Sequence, residues 1–302
     1  MFNHILVLVH HEKDNSDAIA RALMFAGPDT DITLLSLVYN RSLDVEYLFD
    51  KAGRDAAQQA FCQQHSKHLS HLLDDFKQKG LHCQLEVQWS KHKHLDLIAY
   101  LQGSHTDFII KTQREHNLLQ RAFFSHNEWH LVRMSPVPVL LCKPGITYPA
   151  QPVITAAIDP CHGQDKPASL DHKLAKTAMK LAASFHGSAH FFHSYDPVPP
   201  SLLTDVDSMG YEDLSNSIRE HHQGAYRQFL SHYNMPAGQT HLLEGDIYIT
   251  LPEFISQQHS PLTVMGAISR SQLDQWLIGS TAERLLEVLP CDLLILKPDQ
   301  AV

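Results

Sequence analysis

Thr263-Val264-Met265-Gly266-Ala267-Ile268-Ser269 is an apolar run cut short by small residues, and Gly279-Ser280-Thr281 follows after nine intervening residues. The run over 263–265 has the short apolar pattern of a buried strand, and Gly266 ends it. Ser280 and Glu283 stand at capping-box spacing, which predicts a helix over 282–289. A strand, a turn of small residues and a helix N-terminus suit an anion such as phosphate. The first N–H groups of the helix lack partners within it, and the helix dipole favours negative charge. A plain tight turn has the same composition. The stretch is not a P-loop, since no Gly-Lys-Ser/Thr run occurs, and it is not a G-x-G-x-x-G turn.

Outward from this stretch, strand and helix patterns alternate, and the alternation occurs twice. Ile5-Leu6-Val7-Leu8-Val9 reads as a fully buried strand. A helix over 16–25 follows, with Ile19, Ala22, Leu23 and Ala26 on one face. Strands over 32–38, 83–89, 108–110 and 137–142 alternate with helices over 54–79, 95–101 and 128–134. The second half reads as strands over 153–158, 189–194, 241–244, 263–265 and 293–296, with helices over 170–185, 211–233, 251–257 and 282–289. Each half ends in an apolar strand followed by Lys-Pro, at Lys143-Pro144 and at Lys297-Pro298. This order predicts an α/β fold: a mostly parallel five-stranded sheet with helices on both faces, twice over. The expected domains are 1–145 and 151–302, joined by a linker over 145–152 that holds two prolines.

Composition narrows the function. The formal net charge is -9, and no Lys/Arg run offers the phosphate neutralisation that non-specific nucleic-acid binding needs. No apolar stretch approaches the roughly 18 residues of a membrane span, and 5–9 is too short for a signal-peptide core. The five cysteines are odd in number, dispersed and in no CxxC pair, so they read as reduced thiols of a cytoplasmic protein. Histidine is the compositional anomaly, 23 of 302 residues, which predicts a marked change of charge between about pH 7 and 5.5.

The spacing Gly266-x2-Ser269-x9-Gly279-Ser280 resembles the nucleotide loop of the universal stress protein family, G-x2-G-x9-G-[ST], with Ser269 in place of the second glycine. The ending Cys291-Asp292-Leu293-Leu294-Ile295-Leu296-Lys297-Pro298 is similar to that family's last strand. Phe108-Ile109-Ile110-Lys111, Glu128-Trp129-His130-Leu131-Val132-Arg133 and Pro136-Val137-Pro138-Val139 resemble the E type of its tandem members. The resemblance covers nearly the whole chain. It implies two adenine nucleotide alpha hydrolase-like domains and a stress-response role with ATP and Mg2+ bound in the second. It assigns Ile158 and Asp159 to the adenosine side. Met265, Gly266, Ser269, Arg270, Gly279, Ser280 and Thr281 carry over to the phosphate side. The bland reading of Asp159 is a turn residue ahead of Pro160, and that of Arg270 is a solvated charge.

The first half departs from this pattern. His10 stands where the second half has Asp159. With a repeat offset of 155 or 154 residues, Gly266 falls on Lys111 or Thr112, and Gly279 on Phe124 or Ser125. Neither register recovers a glycine, so the first half is expected not to bind ATP in the usual way. It is a degenerate repeat or, alternatively, a site for an amphipathic small molecule beside Phe123 and Phe124.

Cys62, His65, His68 and His71 lie three apart on the predicted long helix, and Cys161-His162 follows Asp159. The helical series drifts about 60° per step from one face and forms no four-ligand pattern. Zinc is thus a subsidiary expectation with no assigned ligand set, and His221-His222 reads as a solvated helix face. No G-x-S-x-G elbow or S-G-G-x-D-S loop occurs, and no carboxylate pair has a defined partner. A ligand-binding regulator with a possible protein partner is expected rather than an enzyme, with slow ATP hydrolysis as the catalytic alternative. The last strand of each half would need covering, either by pairing the two domains within a monomer or in a homodimer.

Overall fold

The computed structural model describes residues 2–10, 14–45, 50–113, 126–161, 169–198, 208–267 and 280–298. The chain divides into two compact units, Met1–Gly145 and Ile146–Val302. Residues 146–152, expected as a linker, are held by the second unit. Tyr148 donates to the carboxylate of Asp292 at 2.9 Å, and Ser188 N–H donates to Pro152 O at 3.0 Å.

Unit 1 contains β1 (His4–Leu8), α1 (Ser16–Phe25), β2 (Asp31–Val38), α2 (Lys51–Leu69), α3 (Asp74–Gln78), β3 (Cys83–Trp89), α4 (Lys93–Gly103), β4 (Phe108–Thr112), α5 (His126–Met134) and β5 (Val139–Cys142). Its strands lie in the order β3-β2-β1-β4-β5, every pair parallel. Unit 2 repeats this with β6 (Val153–Ala157), α6 (Ser169–Ser184), β7 (Ser188–Tyr195), α7 (Ser208–Leu230), β8 (Thr240–Glu244), α8 (Ile247–Gln258), β9 (Leu262–Gly266), α9 (Ser280–Val288) and β10 (Asp292–Leu296). Its order is β8-β7-β6-β9-β10, again parallel throughout.

Each chain half first winds from its central strand to one side, then returns to fill the other. Right-handed crossovers therefore put the early and late helices on opposite faces. The central strands are buried on both faces: Leu6, Val7, Ile109, Ile110, Leu140 and Leu141 in unit 1, and Ile154, Ala156, Val264, Leu293 and Leu294 in unit 2. That explains why they read as continuous apolar runs rather than alternating ones. The outermost β3 instead alternates, with Gln84, Glu86 and Gln88 on its wet side, which blunts an edge.

The helix expected over 54–79 is broken. α2 starts earlier, capped by Asp50, whose carboxylate accepts from Gly53 N–H at 2.7 Å. It gives way to a 3-10 turn over Ser70–Leu73 before α3. Ser70 Oγ–H donates to Lys67 O, and the His71 ring to His68 O, so side chains compete for the helix's carbonyls at the break. α8 starts four residues ahead of the expected 251, because Asp246 caps Tyr248 N–H and the chain carries Pro252 inside the helix.

Candidate functional site

β6 and β9 are neighbours, and between them the winding of unit 2 reverses. Such a switch point opens a crevice at the C-terminal ends of its strands. Ile158 extends β6 by one bond, its N–H donating to Phe192 O at 3.0 Å, and its side chain is buried. Asp159 follows. Its N–H donates to the carboxylate of Asp171, in the first turn of α6, at 3.1 Å, and Asp171 is itself buried. The Asp159 side chain is 41% exposed. A carboxylate on a fixed backbone, open to solvent at a switch point, is placed to accept hydrogen bonds from a ligand.

Across the crevice, Met265 is buried and Gly266 pairs with Leu296 as the last residue of β9. A Cβ at Gly266 would lie 2.8 Å from Leu170 Cδ2. This glycine therefore lets α6 pack close, a role distinct from holding a phosphate. Ala267 N–H donates to Leu296 O at 2.9 Å and is spent on the sheet. Beside it, Lys173 Nζ donates to Lys297 O at 3.0 Å, and burial pushes the Lys297 ammonium down to about 8. Ser269, Arg270 and Gly279 lie outside the described residues. Ser280 and Thr281 open α9 as its first two residues, two positions ahead of the expected start; their side chains also lie outside the description.

Three side chains that were not read together from the sequence converge beside Asp159. Cys161 lies two residues beyond it, His193 comes from β7 and His222 from α7. The thiol sulfur and one nitrogen of each imidazole lie within 4.8 Å of one another. His193 is buried, and its Nδ1–H donates to Ile158 O at 3.1 Å, which leaves the lone pair on Nε2. That nitrogen accepts from His222 Nδ1–H at 2.9 Å. Asp159 Oδ1 is 3.9 Å from His193 Nδ1. The His222 ring stacks on Tyr195 at 4.6 Å between centroids. His222 is thus half-buried in packing, whereas His221 is exposed; the expectation of a solvated pair holds for one member only. Burial holds both His193 and His222 below the ordinary imidazole range against the pull of Asp159. Burial, helped by Asp159, pushes the Cys161 thiol up to about 11.

The metal-capable series expected on the long helix is not assembled. Among the described residues the group that meets ligand spacing is Cys161, His193 and His222, not Cys62 with His65, His68 and His71. His65 Nδ1–H is occupied by Phe61 O, one turn back. His162 lies outside the described residues.

Unit 1 has the same switch point between β1 and β4. Ile5 pairs with Phe108 and Ile154 with Leu262, while Ile109 pairs with Val139 and Thr263 with Leu293. These pairings fix the repeat offset at 154 residues for the late strands, so Thr112 stands where unit 2 has Gly266. A cavity of about 410 Å³ opens there, lined by residues including His10, Asp14, Lys111, Thr112 and Gln113. Asn15 clamps the loop after β1: its Oδ1 accepts from His10 N–H at 2.8 Å and its Nδ2 donates to His10 O at 2.9 Å. Phe123 and Phe124, proposed to line an amphipathic pocket, lie outside the described residues; the described lining mixes Leu8, Val9 and Pro144 with polar and charged side chains.

The model of the universal stress protein family matches residues 1–143 and 161–297. The universal stress protein E homolog of Haemophilus influenzae is 24% identical over 306 residues, covering 99% of this chain and 98% of that protein. Universal stress protein E of Escherichia coli K12 is 22% identical, covering 99% and 95%. A crystal structure of a functionally unknown Pseudomonas aeruginosa protein is 26% identical with a TM-score of 0.74, over 99% of this chain and 93% of that one.

Proposed function

Because the chain belongs to the universal stress protein family, matched in both of its halves, we propose that it is a cytoplasmic stress-response regulator whose second unit binds ATP with Mg2+. The observation that carries this reading is Asp159: a solvent-reachable carboxylate at the β6–β9 switch point, its backbone fixed by buried Asp171. Asp159 would hold the adenosine side over the buried Ile158. The N-terminus of α9 at Ser280 would face the phosphates with N–H groups that have no partner within the helix, together with Arg270 and Gly279. Five free thiols suit the reducing cytoplasm.

ATP acts here as a regulatory ligand rather than as a substrate. Its occupancy changes what a partner surface can bind. Such gating requires unequal nucleotide affinity in the two states. Unit 1 is assigned no ATP, since His10 stands where unit 2 has Asp159 and neither repeat register gives it a counterpart of Gly279.

Calorimetric titration of Mg-ATP into nucleotide-free protein tests the reading. One site per chain is expected. Gly279→Arg should abolish it, and Asp159→Ala should weaken it about 10- to 100-fold, the worth of hydrogen bonds to a charged acceptor. Absence of binding to the wild-type chain, or equal binding by Gly279→Arg, would defeat the assignment.

A further inference from the structure

Cys161, His193 and His222 come from a loop, a strand and a helix, separated by 32 and 29 residues (193 − 161 and 222 − 193). From their convergence we propose that they bind a zinc ion through Cys161 Sγ, His193 Nε2 and His222 Nδ1. A fourth position stays open to water or to a ligand atom.

The chemistry of the set selects the metal. One thiolate and two imidazoles are borderline-soft donors that suit zinc and disfavour calcium or magnesium, which take oxygen. Zinc–sulfur and zinc–nitrogen bonds of about 2.3 and 2.0–2.1 Å in a tetrahedron place ligand atoms roughly 3.3–3.6 Å apart. His193 Nε2 and His222 Nδ1 lie 2.9 Å apart, and Cys161 Sγ lies within 4.8 Å of one nitrogen of each ring. Side-chain adjustment alone closes that difference.

The surroundings are those of a built site. Ligating histidines commonly donate their second ring N–H to a carbonyl or carboxylate, which fixes the tautomer and aims the lone pair. His193 Nδ1–H is held by Ile158 O, with the Asp159 carboxylate 3.9 Å away, so Nε2 is the free acceptor on a buried ring. Stacking on Tyr195 fixes the plane of His222. In the absence of metal, one proton bridges the two ring nitrogens at 2.9 Å, and a cation takes its place. On binding, that proton passes to His222 Nε2, and the Cys161 thiol proton is released to solvent. The metal would also tie down the loop that carries Asp159. The proposal uses none of the phosphate-side residues and does not depend on nucleotide binding.

The test is Co(II) titration of the chelator-stripped full chain, with Zn(II) in competition. One equivalent is expected to give a thiolate-to-cobalt charge-transfer band with four-coordinate visible bands, both removed by Zn(II). Cys161→Ser should abolish the charge-transfer band, and His222→Ala should weaken affinity by at least roughly 100-fold, more than the loss of a group that only hydrogen-bonds a ligand. His65→Ala with His68→Ala should leave the spectrum unchanged. A wild-type chain without the band overturns the site, as does a band that survives Cys161→Ser or a full-affinity His222→Ala. Circular dichroism of the metal-free variants establishes folding. If a variant does not fold, X-ray absorption of the zinc-loaded wild type decides: one sulfur and two imidazoles are expected, and any other count overturns the ligand set.

Discussion

Units 1 and 2 secure the residue beyond their central strand in the same way. A polar side chain at the start of the next helix accepts its backbone N–H: Asn15 for His10, Asp171 for Asp159. What they then present to solvent differs. Unit 2 offers a carboxylate, and facing it a glycine whose missing Cβ admits Leu170. Unit 1 offers an imidazole, and in place of that glycine Thr112, whose buried Oγ1 finds no hydrogen-bond partner among the described residues. The frame of the switch point is kept while its chemistry changes. The bonds that build the crevice therefore do not dictate what it holds.

The largest expected effect comes from moving unit 1's residue into unit 2. Gly266→Thr puts a branched side chain where a Cβ alone would sit 2.8 Å from Leu170 Cδ2 and 3.7 Å from Leu174 Cδ1. Overpacking of this kind costs about 1–3 kcal/mol, and the variant should sit at the upper end. Thermal unfolding should show a loss of several degrees, about 2–4 °C per kcal/mol for a domain of this size. Leu170→Ala in the same chain should return part of the loss beyond additivity. If the double variant is merely additive, the glycine is not there for helix packing.

How much of this was legible beforehand follows from the physics of each signal. The helix at Ser16–Phe25 and the strand at Cys83–Trp89 fall on the expected residues, because local periodicity decides them. The break in the long helix was hidden, since it depends on which carbonyls Ser70 and His71 choose. The family resemblance, through its Asp at the end of a domain's first strand, pointed to Asp159. Its Asp171 anchor gave no signal, because acid in a helix's first turn is common for reasons of the dipole alone. The Cys161–His193–His222 group was also not visible. The eye finds metal ligands at helical spacing, as at Cys62, His65 and His68, whereas these three meet only after β6, β7 and α7 have packed. The usable hint was the pair His190 and His193 inside the strand expected over 189–194.

Acid should separate the units next. The described buried histidines, His190 and His193, are both in unit 2. His190 Nδ1 and His241 Nε2 lie 3.0 Å apart with stacked rings, packed against Phe254 of α8. Burial lowers both, and with His190 beside it His241 falls to about 4. An unfolded histidine takes its proton near 6.5 and folded His241 only near 4, so the stabilisation is complete above 6.5 and lost as pH falls towards 4. His241 is half in water, and discounting for that leaves about 1–2 kcal/mol. The protection factors of the β7 and β8 amides, with exchange corrected for its slower intrinsic rate in acid, should fall between about pH 7 and 4.5, ahead of those of β1 and β4, and His241→Gln should flatten the dependence. Equal loss of protection in both units would break the contrast.

The smallest effect tests the shared clamp by exchanging its two versions. Asn15 uses both ends of its amide, accepting from His10 N–H and donating to His10 O. A carboxylate in its place keeps the first bond but sets oxygen against oxygen in the second, at a position 9% exposed. Asn15→Asp should therefore cost about 1–2 kcal/mol, a lost bond plus an unpaired buried acceptor. Towards Asp159, Asp171 only accepts, and an amide can keep its oxygen turned to that N–H, so Asp171→Asn should cost less than about 1 kcal/mol. Chemical denaturation resolves the two if the midpoint moves with unchanged slope. Equal losses would mean that the donor half of Asn15 contributes nothing and that the two clamps are interchangeable. The predicted asymmetry would mean that the clamp of unit 1 relies on a side-chain donor, Asn15 Nδ2, that the accepting Asp171 of unit 2 does not need.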